Sequence, residues 1–409
     1  MALHIVTEAN RCLNCKNPRC QQACPVHTPI PKVIQLFREE RLMEAGEMLF
    51  ENNPMSLVCS IVCNHEKQCA GSCIRGIKDT PIHFSSIETY ISDMYLDRMV
   101  IEKPESKKQK VGVIGSGPAG MTVAIKLASL GYQVTVFEWK GMIGGLLRYG
   151  IPAFRLRKSI VDRYQQRMED MGITIRCNTT VGSVLMMDNL FRDGYSCVFI
   201  GTGAGLPRNL GIRGESFGNV IFGLNYLANP AGHKLGKTVA VIGMGNAAID
   251  VARTALRNGS RYVTLYARSK NVTASSSEVE YARLEGVEFR FGMQIQEINE
   301  TGPVFRRAIF DENDKVIGYE DEPVQVEADS TVVSVSQKPR GKLVRTTNGL
   351  FADESGTLIV DENYMTTLPG VFAAGDVVTG PKTVVHAVSA AKKAAEAMVR
   401  YMEAEEAGQ

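Results

Sequence analysis

Two hydrophobic rhythms alternate through most of this chain. Residues 111–114, 133–137, 238–242 and 262–266 are short, nearly unbroken apolar runs of strand length. The first and third of these lead into amphipathic helical patterns, ending near Leu130 and Arg257. Apolar strands that alternate with helices indicate parallel sheet covered on both faces, so an α/β fold is expected. Residues 329–335 and 370–376 read as two further strands, and an alanine-rich helix is expected from about 381 to 402. Nearer the N-terminus the rhythm is helical: Val33, Ile34 and Phe37, then Leu42, Met48 and Leu49, predict short helices over 30–37 and 42–50. A charged stretch with a proline, residues 102–110, separates the two regions and reads as a linker.

The residues between strand and helix carry chemistry. After 111–114 comes Gly115-Ser116-Gly117-Pro118-Ala119-Gly120, then a helix, then a strand ending at Glu138. This is a complete dinucleotide-binding unit. Glycines let the backbone approach a pyrophosphate, the helix N-terminus stabilises its charge, and the carboxylate accepts from ribose hydroxyls. Trp139 is placed either to lie on an adenosine or to pack at the surface. A second unit follows 238–242, where Gly243-Met244-Gly245-Asn246-Ala247-Ala248 opens the helix. Its next strand ends near Arg268 and Lys270, not at a carboxylate, which leans toward the extra phosphate of NADP over NAD. Gly375-Asp376, just past a strand, suits a ribityl or pyrophosphate contact. The glycine-rich stretch 141–152 reads as a loop where backbone approaches something flat or charged.

Cysteine placement points to metal. Of ten cysteines, Cys12, Cys15, Cys20, Cys24, Cys59, Cys63, Cys69 and Cys73 all precede residue 74. No export signal is evident at the N-terminus, so a cytoplasmic, thiol-reducing setting is expected and disulfides are not. Four thiols within 13 residues, ending Cys24-Pro25, resemble a two-cluster ferredoxin run more than paired zinc knuckles. Eight thiols suit two 4Fe–4S clusters. In a crossed arrangement Cys12, Cys15, Cys20 and Cys73 hold one cluster, and Cys24, Cys63 and Cys69 hold the other. Its fourth ligand stays open between Cys59 and an oxygen from the following helix. His27 and His65 are expected as surface residues of these loops.

Composition adds exclusions. Lys plus Arg number 46 and Asp plus Glu 44, which gives no electrostatic basis for nucleic acid or anionic membrane as partner. No apolar run reaches the ~18 residues of a membrane span. A length of 409 residues suggests about three domains at ~150 each. Those expected are a helical iron–sulfur domain at 1–105, a flavin-type domain at 111–205 plus 326–409, and a nested pyridine-nucleotide domain at 206–325.

These motifs together resemble the small (β) subunit of glutamate synthase and the flavin half of dihydropyrimidine dehydrogenase. The resemblance rests on Cys24-Pro25-Val26, the Gly115 motif, residues 144–152, Gly243-Met244-Gly245-Asn246 and residues 370–376. It implies an NAD(P)H-dependent oxidoreductase with FAD held around Gly115, Gly117, Pro118, Ala119, Gly120, Glu138, Gly145, Leu146, Arg148, Gly375 and Asp376. Thr383 and Val384 would bring a helix N-terminus to the flavin ring. NADPH or NADH would bind around Gly243, Gly245, Asn246, Ala247, Arg268 and Lys270. By likeness, Glu88 is preferred over Cys59 as the last cluster ligand. The resemblance departs at Asn64, where proline is usual, and at Ser334-Val335-Ser336-Gln337-Lys338-Pro339. Cofactor domains fill the chain, leaving no room for a terminal substrate domain. The expectation is therefore an electron-input subunit that serves a catalytic or electron-accepting partner. That partner would belong to a glutamate synthase, a pyrimidine reductase, or a ferredoxin- or hydrogenase-linked, bifurcating complex. A disulfide reductase would need a Cys-x-x-Cys near the flavin, and Cys177 and Cys197 stand alone.

Overall fold

The structure is a computed structural model that describes residues 2–101 and 104–408. Glu102 and Lys103 of the expected linker lie outside the described residues. The chain divides into two compact units, one made of 1–147, 153–204 and 338–409, the other of 148–152 and 205–337.

The first unit contains a five-stranded sheet ordered Val371–Ala373, Tyr195–Ile200, Lys110–Ile114, Gln133–Phe137, Thr174–Arg176. All its neighbours run parallel, with Ile114 in register with Phe137 on one side and Ile200 on the other. Lys110–Ile114 is buried beyond its first residue, as expected for a central strand covered on both faces. The helix Pro118–Ala128 starts with proline at its first turn, where a missing N–H costs nothing. It ends two residues before Leu130 because the chain turns at Gly131 with φ +90°. Against it packs Val384–Ala407, which buries Ala387, Ala391, Ala394, Ala395 and Ala397. Small side chains let the two helices approach closely. This last helix begins later than expected because Gly380, at φ +71°, and Pro381 precede it.

The same unit includes the N-terminal region, whose main helices are Ala2–Asn10, Ile30–Arg38, Leu42–Asn52, Ser56–Val62 and Phe84–Arg98. Ile30, Val33, Ile34, Phe37, Leu49, Ile87 and Ile91 form its core, and Cys12, Cys20, Cys69 and Cys73 pack against that core. Gly46 marks a close helix approach: a Cβ there would stand 2.4 Å from Tyr95 Cβ. Named contacts join this region to the sheet domain. Lys126 Nζ donates to Glu51 O at 2.8 Å, and Lys392 Nζ to Asn52 Oδ1 at 2.9 Å. Arg163 pairs with Asp93 and Asp97, and Arg167 Nε donates to Leu96 O at 2.8 Å. These contacts hold the N-terminal region and the five-stranded sheet in one compact unit.

The second unit has its own parallel sheet, ordered Val220–Phe222, Ser330–Val333, Thr238–Ile242, Tyr262–Tyr266, Glu288–Arg290. A three-stranded antiparallel sheet, Met293–Asn299, Gly302–Phe310 and Val316–Gln325, accompanies it. Here the structure differs from the expected return to the flavin-type domain at 326. Ser330–Val333 pairs with Thr238–Ile242 and Val220–Phe222, so the crossing back comes at 338. A fully buried strand shows only that it is central to some sheet, and its apolar run could not say which.

Candidate functional site

The iron–sulfur region presents two donor sets. Cys12, Cys15, Cys20 and Cys73 line one cavity, walled also by Ile30, Ile34 and Phe84. The thiols come from two loops far apart in sequence, brought together by the helices between them. Arg38 donates to the carbonyls of Asn10 and Cys12 at 2.8 and 3.1 Å, bracing the first loop. Burial holds the Cys12 thiol above its usual pKa and raises Cys20 to about 11. Thiols so placed are protonated near neutrality unless a metal displaces the proton. Among the described residues no three His, Cys, Asp or Glu side chains converge on a point that would hold a single ion. The four thiols share one cavity with apolar walls.

Cys69 is in that cavity's wall and is also part of the second set. Burial raises its pKa to about 12, and Glu88 and Cys24 are its next strongest influences. Cys63 hydrogen-bonds to Cys59, which, with burial, lifts its pKa well above normal; Glu88 and Cys69 add to this. Glu88 itself is only 6% exposed. Burial, then Cys59, raises its pKa well above the carboxylate range, and no hydrogen bond offsets them. A carboxyl buried beside thiols is costly to ionise, and a cluster iron would offset that cost. Cys24 lies at the edge of this set, with its Sγ 3.3 Å from Thr28 Oγ1. Cys59 and Glu88 are both close enough to influence Cys63, so the choice between them stays open. His65 departs from the surface position expected of it: its ring is half-buried and bonded to the Cys59 backbone, with its pKa lowered by burial. His27 is exposed.

The expected flavin cradle is assembled from distant segments. Gly115 has φ +98°, and a Cβ there would stand 2.7 Å from Gly201 O. A Cβ on Gly120 would meet Gly115 O at 1.9 Å, so helix and strand cannot close without glycine there. Gly117 differs: its Cβ would meet nothing within 4 Å, leaving bare backbone toward open space. That opening, before the N-terminus of Pro118–Ala128, fits a pyrophosphate. Glu138 is 3% exposed. It accepts from Ser116 N at 3.0 Å, from the Ser116 hydroxyl, and from Lys140 N at 2.8 Å. Gly144 N donates to Ser116 O at 3.0 Å, folding the next loop over the motif and placing Gly145 against Gly117. The loop expected over 141–152 contains one short helix, Leu146–Tyr149, and Arg148 groups with the second unit. Gly375 closes on the opposite side, where its Cβ would come 3.1 Å from Ala119 Cβ. Asp376 follows, with Oδ1 accepting from Lys382 N at 3.1 Å and burial raising its pKa to about 6. Thr383 caps Val384–Ala407, its hydroxyl 2.6 Å from His386 Nδ1.

Trp139 is exposed, with Lys140 Nζ 4.2 Å and Arg340 Cζ 4.7 Å from its ring. In the second unit Gly243 has φ +135°, and a Cβ there would clash with Ser334 O at 2.3 Å. Gly245 precedes the helix Asn246–Arg257, and Asn246 Oδ1 accepts from Ser275 N at 3.0 Å. Ala247 is half-buried and Ala248 fully buried. Both cations are exposed; Lys270 is ion-paired with Asp314 and lies over the Phe310 ring.

Comparison with known proteins agrees with this geometry. Residues 109–391 match the family described as pyridine nucleotide-disulphide oxidoreductase. Residues 2–100 match the domain described as dihydropyrimidine dehydrogenase domain II, 4Fe-4S cluster. The chain belongs to the pyridine nucleotide-disulphide oxidoreductases. It is 34% identical to the glutamate synthase [NADPH] small chain of Escherichia coli (strain K12), over 97% of this chain and 91% of that protein. It is equally, 34%, identical to the NAD-dependent dihydropyrimidine dehydrogenase subunit PreT of Salmonella typhimurium, over 97% and 94%. FprA of Mycobacterium tuberculosis, solved in complex with NADPH, shares the fold. Its TM-score is 0.62 at 20% identity, covering 74% of this chain and 86% of that one. Thioredoxin reductase of T. acidophilum matches with TM-score 0.55 and 23% identity, over 73% and 99%.

This oxidoreductase therefore carries an iron–sulfur domain ahead of its flavin- and pyridine-nucleotide-type folds. Its cysteines within 109–391 are Cys177 and Cys197, and Cys197 is buried in the strand Tyr195–Ile200. Among the described residues no helix is long and apolar enough to cross a membrane. Sequence reasoning missed Ser116, the residue that orients Glu138. A hydroxyl between the first two motif glycines was the available signal. It also missed Arg38, for which helical spacing gave no hint of a contact with the Cys12 loop.

Proposed function

We propose that this chain takes electron pairs from NADPH or NADH and delivers them singly to a partner subunit. When bound, FAD supplies the conversion between two-electron hydride chemistry and the one-electron steps of 4Fe–4S clusters. Cys12, Cys15, Cys20 and Cys73 would hold one cluster, and Cys24, Cys63, Cys69 and Glu88 the other, with Cys59 the competing ligand. The Gly115–Gly120 backbone, Glu138, Gly145, Leu146, Gly375 and Asp376 would bind the flavin dinucleotide. The N-terminus at Thr383 and Val384 would favour negative charge on the ring. Gly243, Gly245, Asn246, Ala247 and Arg268 would bind the nicotinamide dinucleotide. Lys270, already paired with Asp314, would contribute less than Arg268.

One observation carries this reading. Ser389 Oγ donates to Pro25 O at 2.8 Å, so the residue after Cys24 is bonded to the helix that starts at Val384. The second donor set and the flavin-side helix N-terminus thus belong to one braced structure. No side chain is assigned as acid or base, because hydride transfer to a flavin requires none. The likeness to glutamate synthase small chain and to PreT supports an input role in a hetero-oligomer. The clustered cysteines, assigned to iron and not to disulfides, support work in a reducing compartment such as the cytoplasm.

The test is anaerobic titration of the purified protein with NADPH and with NADH. The flavin's visible band should bleach, and reduced-cluster signals should then appear by electron paramagnetic resonance. Protein that contains zinc in place of iron and sulfide, or flavin that ignores both nucleotides, would refute the reading.

A further inference from the structure

Ordinary surface residues do not account for the outer rim of the first cluster cavity. Leu13 and Ile74 line that cavity yet are 58% and 43% exposed, and Ile77 is 66% exposed. Ile74 and Ile77 are the ends of one 3₁₀ turn. Side chains at i and i+3 of such a turn eclipse, so both isoleucines project from the same side. Scattered exposed apolar residues need no explanation, but three gathered beside one functional cavity mark an interaction surface. Cys12, Cys15 and Cys73 are themselves only part-buried, so the cavity reaches close to that surface.

Charge around this apolar centre is mostly positive. Residues 11–22 contain Arg11, Lys16 and Arg19 and no acid. Residues 71–80 contain Arg75 and Lys78 against Asp79 alone. Asp79 is occupied by Arg75 at 2.6 Å and Arg11 at 3.3 Å. Lys16, Arg19 and Lys78 remain exposed. The chain as a whole is nearly neutral, at +2, so this local excess is a feature of the rim.

We propose that this face docks the electron acceptor: a protein whose own one-electron centre lies under an apolar patch ringed by Asp and Glu. The inference rests on the electron-output reading above and specifies where the output leaves. Apolar contact at Leu13, Ile74 and Ile77 excludes water over the cluster edge, and the basic rim steers an acidic surface to it. The stoichiometry is fixed by the chemistry. One NADPH is oxidised to NADP⁺ with release of one proton, and two acceptor molecules are each reduced by one electron.

The test uses the holoprotein with an acidic 2Fe–2S ferredoxin as probe. Three quantities are read: binding by calorimetry, NADPH-driven ferredoxin reduction, and reduction of a neutral quinone directly at the flavin. Lys16→Glu with Lys78→Glu should slow ferredoxin reduction roughly tenfold at low salt, because rim charges act mainly on association rate. Parent and variant should converge at ~1 M salt, where the Debye length is only ~3 Å. Ile77→Ser, four residues past the nearest cysteine, should weaken binding at both salt concentrations. Quinone reduction and iron content should match the parent in both variants, and cluster midpoint potential should match it in Ile77→Ser. Unchanged ferredoxin binding in both variants overturns the docking face. So does a slowed rate that follows a shifted midpoint potential with binding intact. Loss of binding to anionic phospholipid vesicles instead of ferredoxin also overturns it. If the parent's clusters are not reduced by NADPH at all, it is the electron-output reading that fails.

Discussion

Exchanging Asp376 for asparagine should make the flavin-free protein more stable near neutral pH while weakening its hold on flavin. Burial lifts the Asp376 pKa from 3.8 to about 6, relieved only by the Lys382 N–H and the Lys382 charge. The folded pKa lies above the unfolded one, so folding favours the protonated carboxyl. That contribution is fully present below the unfolded pKa and is lost as pH rises through about 6. A raise of about two units corresponds to at most about 3 kcal/mol, and partial exposure brings the expectation nearer to roughly 1–2 kcal/mol. Asparagine keeps the shape and the accepting oxygen toward Lys382 but never ionises, so it escapes the penalty. Flavin should pay in the other direction, with about tenfold weaker binding if one charge-assisted hydrogen bond to a ribityl hydroxyl is lost. Trp139, the chain's only tryptophan, belongs to the same unit and reports its unfolding by fluorescence. Urea curves of deflavinated parent and variant should coincide near pH ~4 and separate toward pH ~7, with the variant the more stable. A variant no more stable than the parent at neutral pH, or a gap that widens toward acid, would show that burial of this carboxyl is not the cost inferred here.

Three further substitutions address the other centres. Cys20→Ala should remove one cluster's iron and sulfide, measured chemically, while flavin content stays at the parent level; loss of flavin as well would show that the cavity is needed to fold the shared unit. Glu88→Ala should alter the resonance signal or midpoint potential of one cluster, whereas an effect seen only with Cys59→Ala would assign the ligand to Cys59. Arg268→Ser should raise the KM for NADPH by roughly tenfold and spare NADH, with Lys270→Ser having the smaller effect because Asp314 already holds that ammonium; equal loss with both nucleotides would remove Arg268 from phosphate recognition.

How much of this was legible in the sequence follows from the range of the interactions involved. Gly115, Gly117 and Gly120 announce their unit because the constraint is local: a strand must turn into a helix within a few residues, and 1.9 Å of clearance at Gly120 permits nothing larger. The cysteines were legible by chemistry, since thiols crowded into short loops have few uses. Partner strands were not. The run 330–333 is as buried as the central strands of the first sheet, and only pairing with Val220–Phe222 and Thr238–Ile242 assigns it to the second. The partner of Lys270 was hidden for a related reason. The lysine's place after a strand suits a phosphate, but the hairpin that brings Asp314 to it lies more than forty residues away.

The contacts between the iron–sulfur region and the flavin-type fold argue for a rigid connection. Lys126 and Lys392, on two different helices of the sheet domain, both reach the end of the helix Leu42–Asn52. Burial lowers both pKa values, so these charges are kept out of water at a cost. A chain that needed only to tether the two regions could do so with a flexible linker. Desolvated lysines placed against a helix C-terminus instead fix position, since their bonds exist only in one arrangement. Single-electron transfer between centres depends steeply on their separation, and a fixed separation is what such a clamp provides. Cys24 is among the groups that act on Lys392, so the residue that holds the regions together is close to the second donor set.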